Sequence, residues 1–533
     1  MFNSSKSRLR ICLALSSLLF AQASLLEAKT IVNIYQPKTI CELIADIEAA
    51  NALPPGMPSI INLGGLTFEL LDDCATAAAD PACATTIPPV TVAGCYANDL
   101  SYSHGPVGLP EIINNIQIIN GRIVRSNAAG AFRIFTVTNN TSILPPVPAK
   151  FGELSLFKVT LENGDAVATS PITIDSGNGG AVYVDNGATL SLQSSKIGFN
   201  QAVASGGGIY VAFGGLLKVL TSIISHNNAN AMDPNNAKAG GGGIYIASMP
   251  GVLKQPILQA GLESLISSTV SHNTTPGLGG GINNQFFAGN IIDSTFSYNL
   301  TCVSVTGSGE CELGANPSGA GGGIYNDVNA VFLAVIQSTF WGNRALKGGG
   351  IYNEEVMTTP PCTFTQLGVY LDNNTIASNF AQSGGGGIYN AGFINQLVSN
   401  LIAANKDTSG VPDLLSLASG INIVALVIPV VGEIFEGFNL IGDCAGNCGL
   451  SNDSNLDIVG GVNNALLTLP VIDPRLHHLN NNGGPTETVA LFPDSPAVNN
   501  GYNNVNLSFD QRGAVFFRTV AETDIGSYEY QYD

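Results

Sequence analysis

The sequence predicts an all-β chain: a single-stranded right-handed parallel β-helix with an N-terminal capping helix and looped insertions. Three observations predict it. Glycine runs lead straight into a strand-forming apolar residue, as in SGAGGGIYNDV (318–328), and these residues are Val182, Ile209, Ile244, Ile282, Ile324, Ile351 and Ile388, spaced by 27, 35, 38, 42, 27 and 37. A second signature alternates with the first (IGFN, IISHN, TVSHN, TFSYN, TFWGN, TIASN, LIAAN) and ends at Asn200, Asn227, Asn273, Asn299, Asn343, Asn379 and Asn405. Between them lie only brief strand-like runs with no sustained 3.6 period, so the unit of about 27 residues is not a helical pair. Such a unit cannot bury an apolar face alone, but coiling successive units pairs each strand with its equivalent about 4.8 Å away.

Taken in order, residues 1–28 read as an export signal. Lys6, Arg8 and Arg10 precede the apolar stretch Ile11 to Ala23, and AQA or LEA supplies a small residue for cleavage. Residues 29–171 should form an N-terminal cap and the first irregular coils. Thr39-x-x-Glu42 is a capping box, Ile40, Leu43, Ile44 and Ile47 share a helical face, and Pro54 and Pro55 stop the segment. That helix could cover the open end of the coil, which would otherwise recruit another strand.

Residues 172–410 carry the repeats. The glycines make the turn into the strand, where φ is positive or the backbones lie too close for a Cβ. Ile324 then points inward, Tyr325 outward and Asn326 inward again, so Asn284, Asn326, Asn353 and Asn390 are expected to form a structural amide ladder. The segments 228–240, 248–262, 300–320 and 356–368 exceed the unit and should leave the coil as loops. Residues 411–533 follow as C-terminal coils and a cap, and the apolar run 421–431 is too short to span a bilayer.

Composition limits the partners. The 533 residues exceed one ordinary core, and hydrophobic content of 45% argues against disorder. A net charge of −19 argues against nucleic acid and anionic lipid as partners, and the mature chain is expected to be a monomer without a transmembrane segment. Past the signal, cysteines in an oxidising compartment favour structural disulfides. Cys302 with Cys311 and Cys444 with Cys448 are the candidate pairs, while Cys41, Cys74, Cys83, Cys95 and Cys362 stay open. No CxxC or HxxxH pattern supports a metal centre.

The paired GGGIY and FxxN elements (Phe296 to Asn299 and Phe340 to Asn343 are the strict copies) resemble repeats of the chlamydial polymorphic membrane proteins. The ends resemble a broader bacterial family of exported β-helix proteins with a CSLREA motif and a choice-of-anchor Q region. CELIADIEAAN (41–51) keeps Cys41, Leu43 and Ala49-Ala50-Asn51, with Ile44 and Ala45 where that family has Arg-Glu. The segment 473–501, DQRG (510–513) and DIGSYEY (524–530) are similar to the anchor-Q signature. The resemblance implies a pectin-lyase-like fold, export and an extracellular or cell-envelope location. It implies no activity, because the family is defined by architecture.

Chemistry must then come from outward positions. Tyr183, Tyr210, Tyr245, Tyr325, Tyr352 and Tyr389 share one register, interrupted at Asn283, and Asp185, Asp327 and Glu354 lie two places further on. Asp327 and Glu354 should be vertical neighbours, and aromatics beside acids suit sugar binding or Ca²⁺, with no other cofactor implied. Tyr325, Tyr352, Asp327 and Glu354 are therefore the candidate binding residues, and no catalytic residue is named. His226 and His272 precede the motif Asn in adjacent units and lack a third zinc ligand. The expected function is non-enzymatic adhesion or glycan and cell-surface binding. The alternative is a polysaccharide lyase or glycoside hydrolase on the same scaffold. Against a lyase, Val182 to Asn405 contains one arginine, Arg344.

Overall fold

The computed structural model describes residues 32–74, 83, 105–140, 150–167, 177–231, 238–248, 261–301, 304–305, 311–312, 319–328, 330, 332–354, 368–417, 436–445, 448–450, 454–462 and 468–531. Among them, parallel strands stack into one sheet of 22 strands and a second of nine. The nine-stranded sheet holds the glycine motif. Val182 pairs with Ile209, Ile209 with Ile244, and the register passes unbroken through Ile282, Ile324 and Ile351 to Ile388. It continues to Phe135 on one side and Leu414 on the other. All seven apolar residues are buried. The protein is a parallel β-helix.

Each turn of the coil adds two strands to the long sheet, such as Leu216–Leu220 and Ile223–Ser225. The residue before each motif Asn adopts left-handed backbone, with φ of 59° at Phe199, 57° at His226, 55° at His272 and 56° at Tyr298. That conformation costs a non-glycine residue about 1–2 kcal/mol. An amide column offsets it: each Asn gives its backbone N–H and its Nδ2 to the Oδ1 of the next, from Asn200 through Asn227, Asn273, Asn299, Asn343 and Asn379 to Asn405, at 2.9–3.1 Å. Five residues earlier, at the preceding corner, a Ser-then-Asn column repeats the device from Ser195 through Ser222, Ser268, Ser294, Ser338, Asn374 and Asn400 to Asn439.

The glycine triplets serve two needs. Gly321 has φ 69°, and a Cβ there would meet the Ile324 carbonyl at 2.4 Å. Gly322 has an ordinary φ, but a Cβ would lie 2.3 Å from the Gly349 carbonyl of the next turn. Backbone stacking, as well as turning, excludes a side chain.

The helix Ile40–Ala52 closes the N-terminal end. The Thr39 hydroxyl accepts from Glu42 N at 3.2 Å, and the Glu42 carboxylate accepts from Lys38 N at 2.5 Å. Leu43, Ile44, Ile47 and Ala50 are buried against the first strands, with Ile40 only partly so. Asn51 ties the helix down: Nδ2 donates to Glu111 O and Oδ1 accepts from Ile113 N. Cys41 bonds to Cys83 and Cys444 to Cys448, each with Cα atoms 5.0 Å apart, and Cys74 is also disulfide-bonded. Residues 1–28, Cys95, Cys302, Cys362 and the side chain of Cys311 lie outside the described residues, as do 232–237, 249–260, 355–367 and most of 302–318 in the four insertions. Around the Cys311 loop the backbone forms a short antiparallel ladder, Ser304 with Glu312 and Val305 with Cys311. At the other end, residues 468–531 fold back as a cap against the long sheet, where Leu476, Leu479 and Val489 cover Trp341 and Ala377. No helix among the described residues is long and apolar enough to cross a membrane.

Candidate functional site

The tyrosine row stands outside the coil, as its register requires, and forms two stacked columns. Tyr183, Tyr210 and Tyr245 stack at 5.2 and 5.1 Å, and Tyr325, Tyr352 and Tyr389 at 5.4 and 4.9 Å. Cations cover the outer faces of the columns: the Arg133 guanidinium lies 5.2 Å from the Tyr183 ring and Lys347 Nζ 5.1 Å from Tyr389.

The break at Asn283 is where another segment enters. Asn283 Nδ2 and Gln285 Nε2 donate to the Lys238 carbonyl at 2.9 and 2.8 Å. That anchor sends the Lys238 side chain across the next two turns, and Nζ reaches Asp327 Oδ2 and Glu354 Oε2, each at 2.5 Å. The Val328 N–H also donates to Glu354 at 3.1 Å, and the Tyr325 hydroxyl lies 3.5 Å from Asp327.

The electrostatics describe a closed network. Burial works against the Lys238 ammonium, but Asp327 and Glu354 outweigh it and hold its pKa above the ordinary lysine value. Burial pushes the Glu354 carboxyl up, and Lys238, Tyr325 and the Val328 N–H bring it below its usual range. Burial, then Asp327 and Glu354, drives the Tyr325 phenol far up.

These facts correct the expectation of an open stripe. The structure brings Tyr325, Tyr352, Asp327 and Glu354 together, yet Tyr325 is only 2% exposed and Asp327 3%. Leu278 and Ala320 pack on the tyrosines, and Lys238 lies over the acids. The recess beside Asp327, Glu354 and Phe393 holds ≈ 10 Å³, about one water and far less than a sugar ring. Asp185, the third acid of the row, accepts from the Thr138 hydroxyl at 2.8 Å. Asn284, Asn326, Asn353 and Asn390 are linked Nδ2 to Oδ1 at 2.8–2.9 Å, and Asn390 Nδ2 ends the column on Ser416 at 3.2 Å.

The exposed chemistry lies on the long sheet. Phe199, His226, His272 and Tyr298 stack in one column at 4.8, 4.7 and 5.0 Å, with Lys196 Nζ 5.1 Å from the Phe199 ring. Phe199, Tyr298 and neighbouring Ile223 are 45–49% exposed. Burial, then Lys196, lowers the His226 pKa; burial, then His226, lowers that of His272, so both rings favour the neutral form. Five residues before each ring runs a second column, Ser194, Thr221 and Ser267, whose first two hydroxyls are 3.1 Å apart. No group of three or more His, Cys, Asp or Glu among the described residues could hold a metal ion. The residue before each motif Asn was visible in the sequence; its left-handed backbone, which turns the side chain outward, was not.

No protein family matches the chain, and neither does any curated protein or solved structure.

Proposed function

We propose that the chain is an exported β-helix protein that attaches to glycan-bearing surfaces rather than turning over a substrate. The observation that carries this reading is the uncovered part of the long-sheet face, between the hydroxyl column of Ser194, Thr221 and Ser267 and the ring column from Phe199 to Tyr298. Two imidazoles and a phenol thus border the same strip as side-chain hydroxyls, repeated turn by turn. Such a face offers donors, acceptors and apolar edges to sugar hydroxyls. The signal-like residues 1–28 and the resemblance to exported β-helix proteins support a location outside the cytoplasm. The two acids of the tyrosine row, Asp327 and Glu354, instead share the Lys238 ammonium.

The test is a glycan array and a cell-attachment assay on the chain lacking residues 1–28. Phe199→Ser with Tyr298→Ser changes two half-exposed rings, so unfolding should be nearly unaltered while attachment falls at least about tenfold, the loss expected from about 1.4 kcal/mol. Equal attachment by the double variant would remove this face from the account.

A further inference from the structure

The cap sits on the same sheet face, a few turns further along, and reads the two coil columns there. The corner column that begins with Ser194, Thr221 and Ser267 continues as Asp293, Gln337, Asn373 and Ser399. Each of these meets the cap. Thr486 Oγ1 donates to the Asp293 carbonyl at 3.2 Å, Gln337 Nε2 to Phe509 O at 3.0 Å, Arg518 Nη2 to Asn373 Oδ1 at 2.5 Å and Tyr502 N to Ser399 Oγ at 2.9 Å. The second column is Thr295, Thr339 and Thr375. Gln511 Nε2 donates to Thr295 Oγ1 at 2.9 Å, Thr339 Oγ1 donates to Gln511 Oε1 at 2.6 Å, and Ser527 N donates to Thr375 Oγ1 at 3.0 Å. At Gly526, with φ 104°, a Cβ would lie 2.7 Å from Thr375 Oγ1, so the cap backbone approaches only as glycine.

An unbalanced set of charges lies along this seam. Asp510 pairs bidentately with Arg512, whose guanidinium is sandwiched between Phe516 and Tyr528 at 3.9 and 3.8 Å. That leaves Arg518, fully buried, facing Asp293 and Asp372 from the coil and Asp524 and Glu529 from the cap. Polar neighbours complete the surroundings. Asp372 accepts from Gln396, Asn373 and Asn504, Asp293 accepts from Gln337, Asp524 accepts from the backbone of Asn499 and Tyr530, and Glu529 accepts from the backbone of Val520 and Asp524. One guanidinium cannot neutralise four carboxylates taken out of water, so the docked state needs protons.

We propose that the cap is a proton-held latch: it stays docked while the carboxyls of Asp293, Asp372 and Glu529 keep protons, and it leaves the coil as they ionise. Burial raises Asp293 and Asp372 from 3.8 to about 7 and Glu529 from 4.5 to about 8. A carboxyl raised in the docked state favours docking fully below its free value, near pH 4. That contribution drains as pH climbs and is gone above about pH 8. Release would bare Trp341, now 8% exposed beneath Leu476, Leu479 and Val489, and lengthen the free face.

Trp341 is the single tryptophan, so its emission reports the latch directly. The parent for the test carries His478→Gln, because that imidazole lies 5.9 Å from the indole and can quench it. From pH 5.5 to 9 the parent's emission should move to the red while far-UV dichroism keeps its β signal. Asp293→Asn with Asp372→Asn, two sites whose hydrogen-bond partners are side-chain amides rather than backbone N–H groups, should move the midpoint to higher pH and keep the emission blue further into the alkaline range, and Gly526→Val should place it in the red at every pH. A blue parent at pH 9, an unchanged midpoint in the neutral variant, a blue Gly526→Val protein, or loss of the β signal together with the shift would each overturn the latch. The parent titration decides by itself if a variant fails to fold.

Discussion

Asn405 gives both its backbone N–H and its Nδ2 to one oxygen, Asp413 Oδ1, each at 2.9 Å, and there the column of seven motif asparagines ends. The column runs donor to acceptor, so it ends on a carboxyl; burial raises its pKa from 3.8 to about 7, and once ionised both its oxygens only accept. The second oxygen, Asp413 Oδ2, takes the Asp443 N–H at 2.6 Å. The Ser-then-Asn column ends the same way, with Asn439 giving both donors to Asp457 Oδ1 at 2.8 and 3.0 Å.

Asp413→Asn should therefore destabilise the coil although it is nearly isosteric. An amide NH₂ must face either Asn405 or the Asp443 N–H, leaving buried donors opposed, at about 1–3 kcal/mol. Denaturant unfolding followed by far-UV dichroism measures this. A variant as stable as the parent would show that the column does not need its acceptor end.

The glycine runs give a sharper contrast. Gly322→Ala puts a methyl 2.3 Å from the Gly349 carbonyl, backbone against backbone, so neighbouring turns must separate. It should cost about 3 kcal/mol or more. Gly130→Ala meets nothing within 4 Å and should be neutral within about 0.5 kcal/mol. Thermal melts of the two variants should differ by at least several degrees.

The coil was legible because its signal is local and recurrent: a backbone that admits no Cβ returns at every turn, and the Ile and Asn beside it keep step. The capping helix was legible from Thr39, Glu42 and Leu43 through Ile47 for the same reason. Lys238 was not, since it sits next to an insertion without register and acts about 90 residues away, on Asp327. Its one trace in the sequence was the missing tyrosine at Asn283. The cap was hidden more deeply, because Gln511, Arg518 and Gly526 have meaning only against Thr295, Asn373 and Thr375, which the chain reaches by folding back. The amide column of the motif asparagines was missed by assigning the ladder to Asn284, Asn326, Asn353 and Asn390 alone.

Lys238→Met should destabilise the tyrosine side by about 1–3 kcal/mol by leaving Asp327 buried without its cation, with the half-exposed pairing itself contributing little. The acid response should also reverse. Glu354 is held below its ordinary pKa, so its stabilisation is present above about pH 4.5 and is lost as pH falls through the lowered value. Without Lys238, stability should instead fall as pH rises through the acid range. Adding Asp327→Asn and Glu354→Gln should remove that slope, and a slope that survives them would assign it to other groups.

On the proposed reading, Asp327 and Glu354 serve the scaffold and the protein binds without cleaving. The most direct measurement incubates the chain lacking residues 1–28 with a panel of neutral and acidic polysaccharides and follows new reducing ends and unsaturated products. None above the rate of buffer alone is expected, for the parent and for Asp327→Asn and Glu354→Gln alike. Turnover by the parent that disappears in either variant would contradict it and make the tyrosine–acid cluster a catalytic centre.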